Sequence, residues 1–137
     1  MEPIKHRITE DEITVLLPGQ VFGFGSNEIG KHTKGAARTA LKYFGAIMGQ
    51  AYGLQGRSFG IPTKGKSMNK ILTLQQIGAY VDKFVEFAKE HPELTFLMTK
   101  IGCGLAHYDA KDIAPLFKNA TEVDNIHLPA SFWRKIK

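Results

Sequence analysis

The stretch "FGFGSNEIGKHTKGAA", Phe22 to Ala37, decides how this 137-residue chain is read. Inside it, Gly25 to Lys31 spells G-x-x-x-x-G-K, the opening of a phosphate-binding P-loop. A working P-loop needs Ser or Thr directly after the lysine to hold magnesium, and here that place is His32, with Thr33 one residue late. Triphosphate hydrolysis also needs an acidic metal ligand at the end of a buried strand. The best candidate strand ends in "FLMTKIG", with Lys100 where that acid would stand. The P-loop reading fails on both requirements.

A simpler statement survives. Glycines 23, 25, 30 and 35 follow a β-prone segment and precede a helical pattern, so backbone N–H groups are expected at a helix N-terminus, where free donors and the helix dipole favour an anion. A second glycine-rich loop, "KIGCGLAHYD" from Lys100 to Asp109, also lies between a strand and a helix. Parallel strands would bring both loops to one sheet edge, where two facing rows of donors suit a diphosphate.

The rest of the chain supplies such a frame. "ITVLL" (Ile13 to Leu17) and "VFGFG" (Val21 to Gly25) read as strands joined by a Pro18-Gly19 turn. Ala36, Ala37, Ala40, Leu41 and Phe44 follow helical spacing up to Gly45. "GQAYGLQG" (Gly49 to Gly56) reads as loop, and "RSFGIPT" as a strand that Pro62 ends or places at an edge. Thr73 and Gln76 form a capping box for a helix whose Leu74, Ile77, Val81, Phe84, Val85 and Ala88 share one face and which His91-Pro92 closes. "LTFLMTKIG" (Leu94 to Gly102) is a strand buried on both sides, Asp109 or Asp112 caps a helix carrying Ile113, Leu116 and Phe117, and "NIHLP" is a last strand. The order β-β-α-β-α-β-α-β predicts an α/β three-layer sandwich with a mixed, mostly parallel sheet, formed by one domain over residues 1–137.

Composition narrows the function classes. An apolar fraction of 43% and a charged fraction of 23% are those of a soluble globular chain. No apolar run approaches the ~20 residues of a membrane span, and "MEPIKHRITEDE" lacks the apolar core of a signal peptide. The single cysteine, Cys103, excludes an internal disulfide and a cysteine-based zinc cluster, and no histidines stand at metal-ligand spacing. A cytoplasmic protein without metal or cofactor is the expectation. The net charge of +5 favours anionic partners. Nucleic acid is not favoured, because no Lys/Arg run is interleaved with aromatics.

With both loops in view, the chain resembles a macrodomain, the ADP-ribose-binding fold, over roughly Val21 to Pro129. "IGCGL" and "IPTKG" resemble segments of the branch containing terminal ADP-ribose protein glycohydrolases. The pattern F-G-S-N…G-K-H…G-A-A…F-G-A…G-L-Q-G-x-S…I-P-T-K also looks like a small bacterial and phage-associated macrodomain-like group. The resemblance implies ADP-ribose or an ADP-ribosylated substrate as partner. It implies Asn27 beside the distal ribose, and Gly35 and Ala36 on one side of the diphosphate. Gly102, Cys103, Gly104 and Leu105 clasp the other side, and Lys64 is a nucleophile on the ribose C1 carbon. Gly25, Ser26 and Lys31 complete the ligand contacts of the first loop. The chain departs from that branch at Ala106, where the branch carries its acidic general acid or base, and no Asp in "PGQVFGFG" stands ready for an adenine amino group.

Each candidate has a plain alternative. Lys64 sits in the basic loop "TKGKSMNK" and would need a lowered pKa to attack carbon. His32 is an acid–base candidate or a loop hydrogen-bonder, with His107 a weaker version of the same question. Cys103 is a thiol nucleophile beside a helix start or, the favoured reading, a small packed residue. Tyr108 and Phe59 stack on ligand or belong to the core, and Trp133 anchors the C-terminus. Three functions stand: an ADP-ribosyl glycohydrolase using Lys64, Asn27 and His32, a non-catalytic ADP-ribose module, and a nucleic-acid-binding α/β domain.

Overall fold

A computed structural model describes residues 4–67 and 69–136. Six strands form one sheet in the order β1-β6-β5-β2-β4-β3: β1 (Ile8–Thr9), β2 (Gln20–Asn27), β3 (Gly53–Gln55), β4 (Ser58–Lys64), β5 (Thr95–Met98) and β6 (Ile126–Pro129). All pairings are parallel except β3 against β4. Helices lie on both faces, giving the three-layer α/β sandwich read from the sequence.

One face carries α2 (Leu74–Glu90), the short α3 (Ala110–Ile113), a 3₁₀ helix (Ala114–Glu122) and α4 (Ala130–Lys135). The capping box of α2 is formed: Thr73 Oγ1 accepts from Gln76 N at 3.1 Å, and Gln76 Oε1 accepts from Thr73 N at 2.9 Å. Its buried stripe of Ile77, Val81, Phe84, Val85 and Ala88 packs on the sheet. Phe59, Phe84 and Phe96 close a triangle of rings 5.0–5.9 Å apart, tilted toward edge-to-face. The other face is thinner. There α1 (Gly35–Tyr43) sets Ala37 and Ala40 against Phe22 and Phe24. Arg7, 3% exposed, stitches the chain ends together by donating to the carbonyls of Ala120, Thr121, Val123 and Ile126, while Trp133 Nε1 donates to Arg7 O at 3.0 Å.

The structure corrects four local expectations. Ile13 to Leu17 is not a strand. A hairpin partner would need a free edge of β2, and both edges are taken by β4 and β5. The segment instead lies outside the sheet, with Ile13 and Leu16 against the α1 cluster and Val15 and Leu17 in solvent. The loop assigned to Gly49–Gly56 contains β3, a three-residue strand too short to show periodicity. Pro62 takes the edge role of its two expected ones: β4 runs through it to Lys64, and it lies beyond the Ser58–Gly60 span paired with β3, where the flank opposite β2 has no third strand and a missing N–H costs little. The helix after Asp109 breaks into four α-residues and a 3₁₀ stretch at Pro115, which lacks the donor needed to continue. The central strand is also shorter than its apolar run, with Thr99 onward turning away.

The strand order places the site. From β2 the chain passes over one face through α1 to β4, then over the opposite face through α2 to β5 on the other side of β2. The loops after β2 and β5 therefore leave the same sheet edge in opposite directions. Between them opens the crevice expected at the carboxyl ends of parallel strands.

Candidate functional site

A cleft of about 380 Å³ occupies that crevice, within the usual size for a small-molecule site. Its floor is the ends of β2 and β4, including Asn27, Thr63 and Lys64. One wall is Lys34 to Ala37 at the start of α1; the other is Gly102 and Gly104 to Ala106. Ile101 of the core and the half-exposed Leu105 also line the cleft.

The first wall is a helix start without a cap. Lys34 occupies the N-cap position and makes no side-chain cap bond, and the first amide bonded back along the helix is Arg38 N, to Lys34 O. The N–H groups of Gly35, Ala36 and Ala37 thus lack helical acceptors, and all three residues line the cleft. Across the gap, the second loop is folded by Tyr108 N to Gly102 O at 2.8 Å and His107 N to Gly104 O at 3.0 Å. Among the described residues, the N–H groups of Gly104, Leu105 and Ala106 donate to no protein acceptor. A Cβ built on Gly35 or Gly104 meets nothing within 4 Å, so both backbones face open space.

Charge favours an anion here. Lys31, Lys34, Lys64 and Lys100 line the cleft, and no Asp or Glu among the described residues does. Such an arrangement of donors and cations can clasp phosphate oxygens.

Most sequence candidates meet at the cleft: Gly25, Ser26, Asn27, Lys31, Lys64, Gly35, Ala36, Gly102, Gly104 and Leu105 all line it. Asn27 has spent half its amide, accepting from Lys31 N at 2.8 Å and donating to Lys31 O at 2.9 Å, so it braces the first loop. Ser26 Oγ donates to Ala51 O. Two candidates are elsewhere. His32 is fully buried behind the loop, its Nε2 between Gln50 O at 2.9 Å and Gln55 Oε1 at 3.1 Å and its ring edge-on to Phe24. Phe24, Gln50 and Gln55 enclose the imidazole below the loop, away from the cleft-facing position an acid–base role would need. Cys103 packs against the core, and burial together with Asp109 pushes its thiol pKa up, the opposite of an activated nucleophile.

The aromatics take their plain roles as well. Phe59 is core, and Tyr108 packs against the core with its hydroxyl donating to Leu72 O at 2.6 Å.

No family model, curated protein or solved structure matches the chain.

Sequence reading missed an adjoining recess of about 160 Å³, lined by Thr9, Glu10, Asp11, Thr99, Lys100 and Pro129. Thr9 is 4% exposed, and its Oγ1 finds no partner among the described residues. Lys100 Nζ lies 3.6 Å from Asp11 Oδ1 at its rim. The recess gathers the ends of β1, β5 and β6, and a two-residue strand such as β1 leaves no pattern in sequence. Among the described residues no His, Cys, Asp and Glu group could hold a metal, and no helix is long and apolar enough to cross a membrane.

Proposed function

We propose that this chain binds ADP-ribose or a closely related nucleotide diphosphate in the cleft. The observation that carries this reading is the pair of facing backbone rims, each with unpaired N–H groups, set among four lysines and no acid. A diphosphate between the rims receives donors from both sides and the favourable end of the α1 dipole. The distal ribose lies toward Asn27 and Lys64. The base lies toward the recess, where Asp11 offers the acceptor for an exocyclic amino group that the strand residues lack. The macrodomain resemblance and a cytoplasmic setting belong to the same proposal.

Binding without turnover is the principal form of the proposal. Glycoside cleavage needs an acid or base at the scissile bond, the main cleft offers no carboxylate, and Ala106 stands at 4% exposure where the resembling branch carries one. Lys64 at the floor supports the catalytic form, in which it attacks the ribose C1 carbon.

Calorimetric titration with ADP-ribose, ADP and AMP tests the reading. ADP-ribose binds tightest of the three; equal or absent binding of all three overturns it. Incubation with ADP-ribosylated protein then separates the forms, since any turnover that survives Lys64→Ala excludes the lysine mechanism.

A further inference from the structure

The first wall of the cleft is braced from behind by one short segment, Ile47 to Gln50, and the brace includes a sulfur atom. Gly49 N donates to Gly30 O at 2.8 Å, and the backbone of Gly49 fills the space where a Gly30 side chain would begin. Gln50 O holds His32 Nε2 at 2.9 Å. Ile47 N donates to Gln55 Oε1 at 2.7 Å, which ties the segment to β3. Between these contacts the backbone N–H of His32 donates to the thioether Sδ of Met48 at 3.4 Å.

That amide belongs to the site's own loop, since Lys31 and Thr33 on either side of it both line the cleft. Among the described residues the Met48 sulfur is the one acceptor it has. Met48 is also open to reagents, being 50% exposed, whereas Met98, the other methionine among the described residues, is fully buried. A thioether sulfur has two lone pairs. One of them accepts from His32 N, and the other is left for an oxidant.

We infer that Met48 is an oxidation site through which peroxide loosens the first wall of the cleft. The free lone pair of Sδ attacks one peroxide oxygen, and the O–O bond breaks as the S–O bond forms. The departing hydroxide takes the proton of the transferred oxygen and leaves as water; sulfur gives up two electrons and the peroxide gains them. The sulfoxide carries a partly positive sulfur, a poor acceptor for His32 N, and its oxygen does not fit in the 3.4 Å between sulfur and nitrogen. The amide loses its partner or the side chain draws back, and either outcome disturbs the segment that supports Gly30 and His32. Two thiols reverse the change, joining as a disulfide while the oxygen leaves as water. The oxidation and the loosening stand on these contacts alone; the consequence for a ligand rests on the ADP-ribose reading.

Treatment of the whole chain with hydrogen peroxide, followed by peptide mass spectrometry, hydrogen exchange and calorimetry, tests the site. In the folded protein the peptide containing Met48 gains one oxygen, while the peptide containing Met98 gains it only after unfolding in urea. Equal uptake by the two, or none at Met48, overturns the proposal. Amide exchange across residues 30–33 becomes about threefold faster, the low end for a lost neutral hydrogen bond, and Kd for ADP-ribose rises by a similar factor. A methionine sulfoxide reductase supplied with thiol restores both. Met48→Leu keeps the apolar bulk without the reactive sulfur. It starts with slightly weaker binding, since leucine cannot accept from His32 N, and peroxide then changes neither readout. A peroxide response that survives in Met48→Leu overturns the proposal, as does oxidation of Met48 that leaves exchange at residues 30–33 unchanged. Faster exchange with unchanged ADP-ribose affinity overturns the link between brace and cleft. Protein that binds no ADP-ribose before or after treatment overturns the cleft reading, and the mass and exchange readouts still decide the oxidation site.

Discussion

The two walls of the cleft look alike in sequence and are built differently. The first wall is held from behind by backbone and amides. Gly30, at φ +71, sits so close to Gly49 and Gln50 that an added Cβ would lie 2.4 Å from Gly49 C; Gly49 N donates to Gly30 O, and Asn27 and His32 tie down the two flanks. The second wall is folded by its own backbone turns, Tyr108 N to Gly102 O and His107 N to Gly104 O, and rests on the Ile113 side chain. An added Cβ on Gly102, at φ +75, would meet Ile113 Cδ1 at 2.7 Å. Behind the first wall stands a nine-residue helix; behind the second, four α-residues and a 3₁₀ stretch. The contrast teaches that a dipole-bearing wall braced by backbone faces one resting on a flexible side chain, so the second is expected to yield first.

That contrast can be broken by substitution. Gly30→Ala forces backbone against backbone in a left-handed conformation and costs about 4 kcal/mol in urea unfolding. Gly102→Ala carries the same conformational strain but meets the tip of a flexible isoleucine, and costs about 2 kcal/mol. Equal costs would erase the distinction between the walls. Asn27→Ala removes both bonds to Lys31 and costs about 1.5 kcal/mol, with weaker ADP-ribose binding in calorimetry; unchanged affinity would show that bracing the first loop is irrelevant to the site.

Gly104→Ala sharpens the comparison in the other direction. The added methyl meets nothing, so stability shifts by less than about 0.5 kcal/mol, while ADP-ribose affinity falls because the methyl enters the space a phosphate would use. Loss of stability without loss of affinity would remove the second wall from the site.

The smallest effect is a pH dependence outside both walls. Burial first, then Arg7 and His6, hold the His127 imidazole below its ordinary pKa of 6.5. The unfolded chain therefore takes up this proton before the folded one, and stability is lost as pH falls below about 6.5. His127→Gln flattens that part of a pH series of thermal unfolding.

Much of the frame was legible. Thr73 and Gln76 mark a helix start because the bonds that cap it are local, and the stripe from Ile77 to Ala88 follows a period that any helix must show. The glycine loops were legible for the same reason, since only short-range geometry places them after strands and before helices. Ile13 to Leu17 misled because its strand propensity is real and its fate was decided by β4 and β5, distant in sequence, occupying both edges of β2. His32 misled in the same way. Nothing local announces that Gln50 and Gln55 will enclose it. The recess at Thr9 and Asp11 was invisible because it exists only where three strand ends converge.

The sequence by itself determined the α/β class, the long capped helix, the two glycine-rich turns and the excess of positive charge, all properties of residues near one another in the chain. Only the tertiary structure decided that the turns face each other, that Lys31, Lys34, Lys64 and Lys100 come to line one gap, and that His32 and Cys103 turn inward. Those outcomes depend on which strands become neighbours and which surfaces remain to be covered, and such competition is settled by packing across the whole chain rather than by any one segment of it.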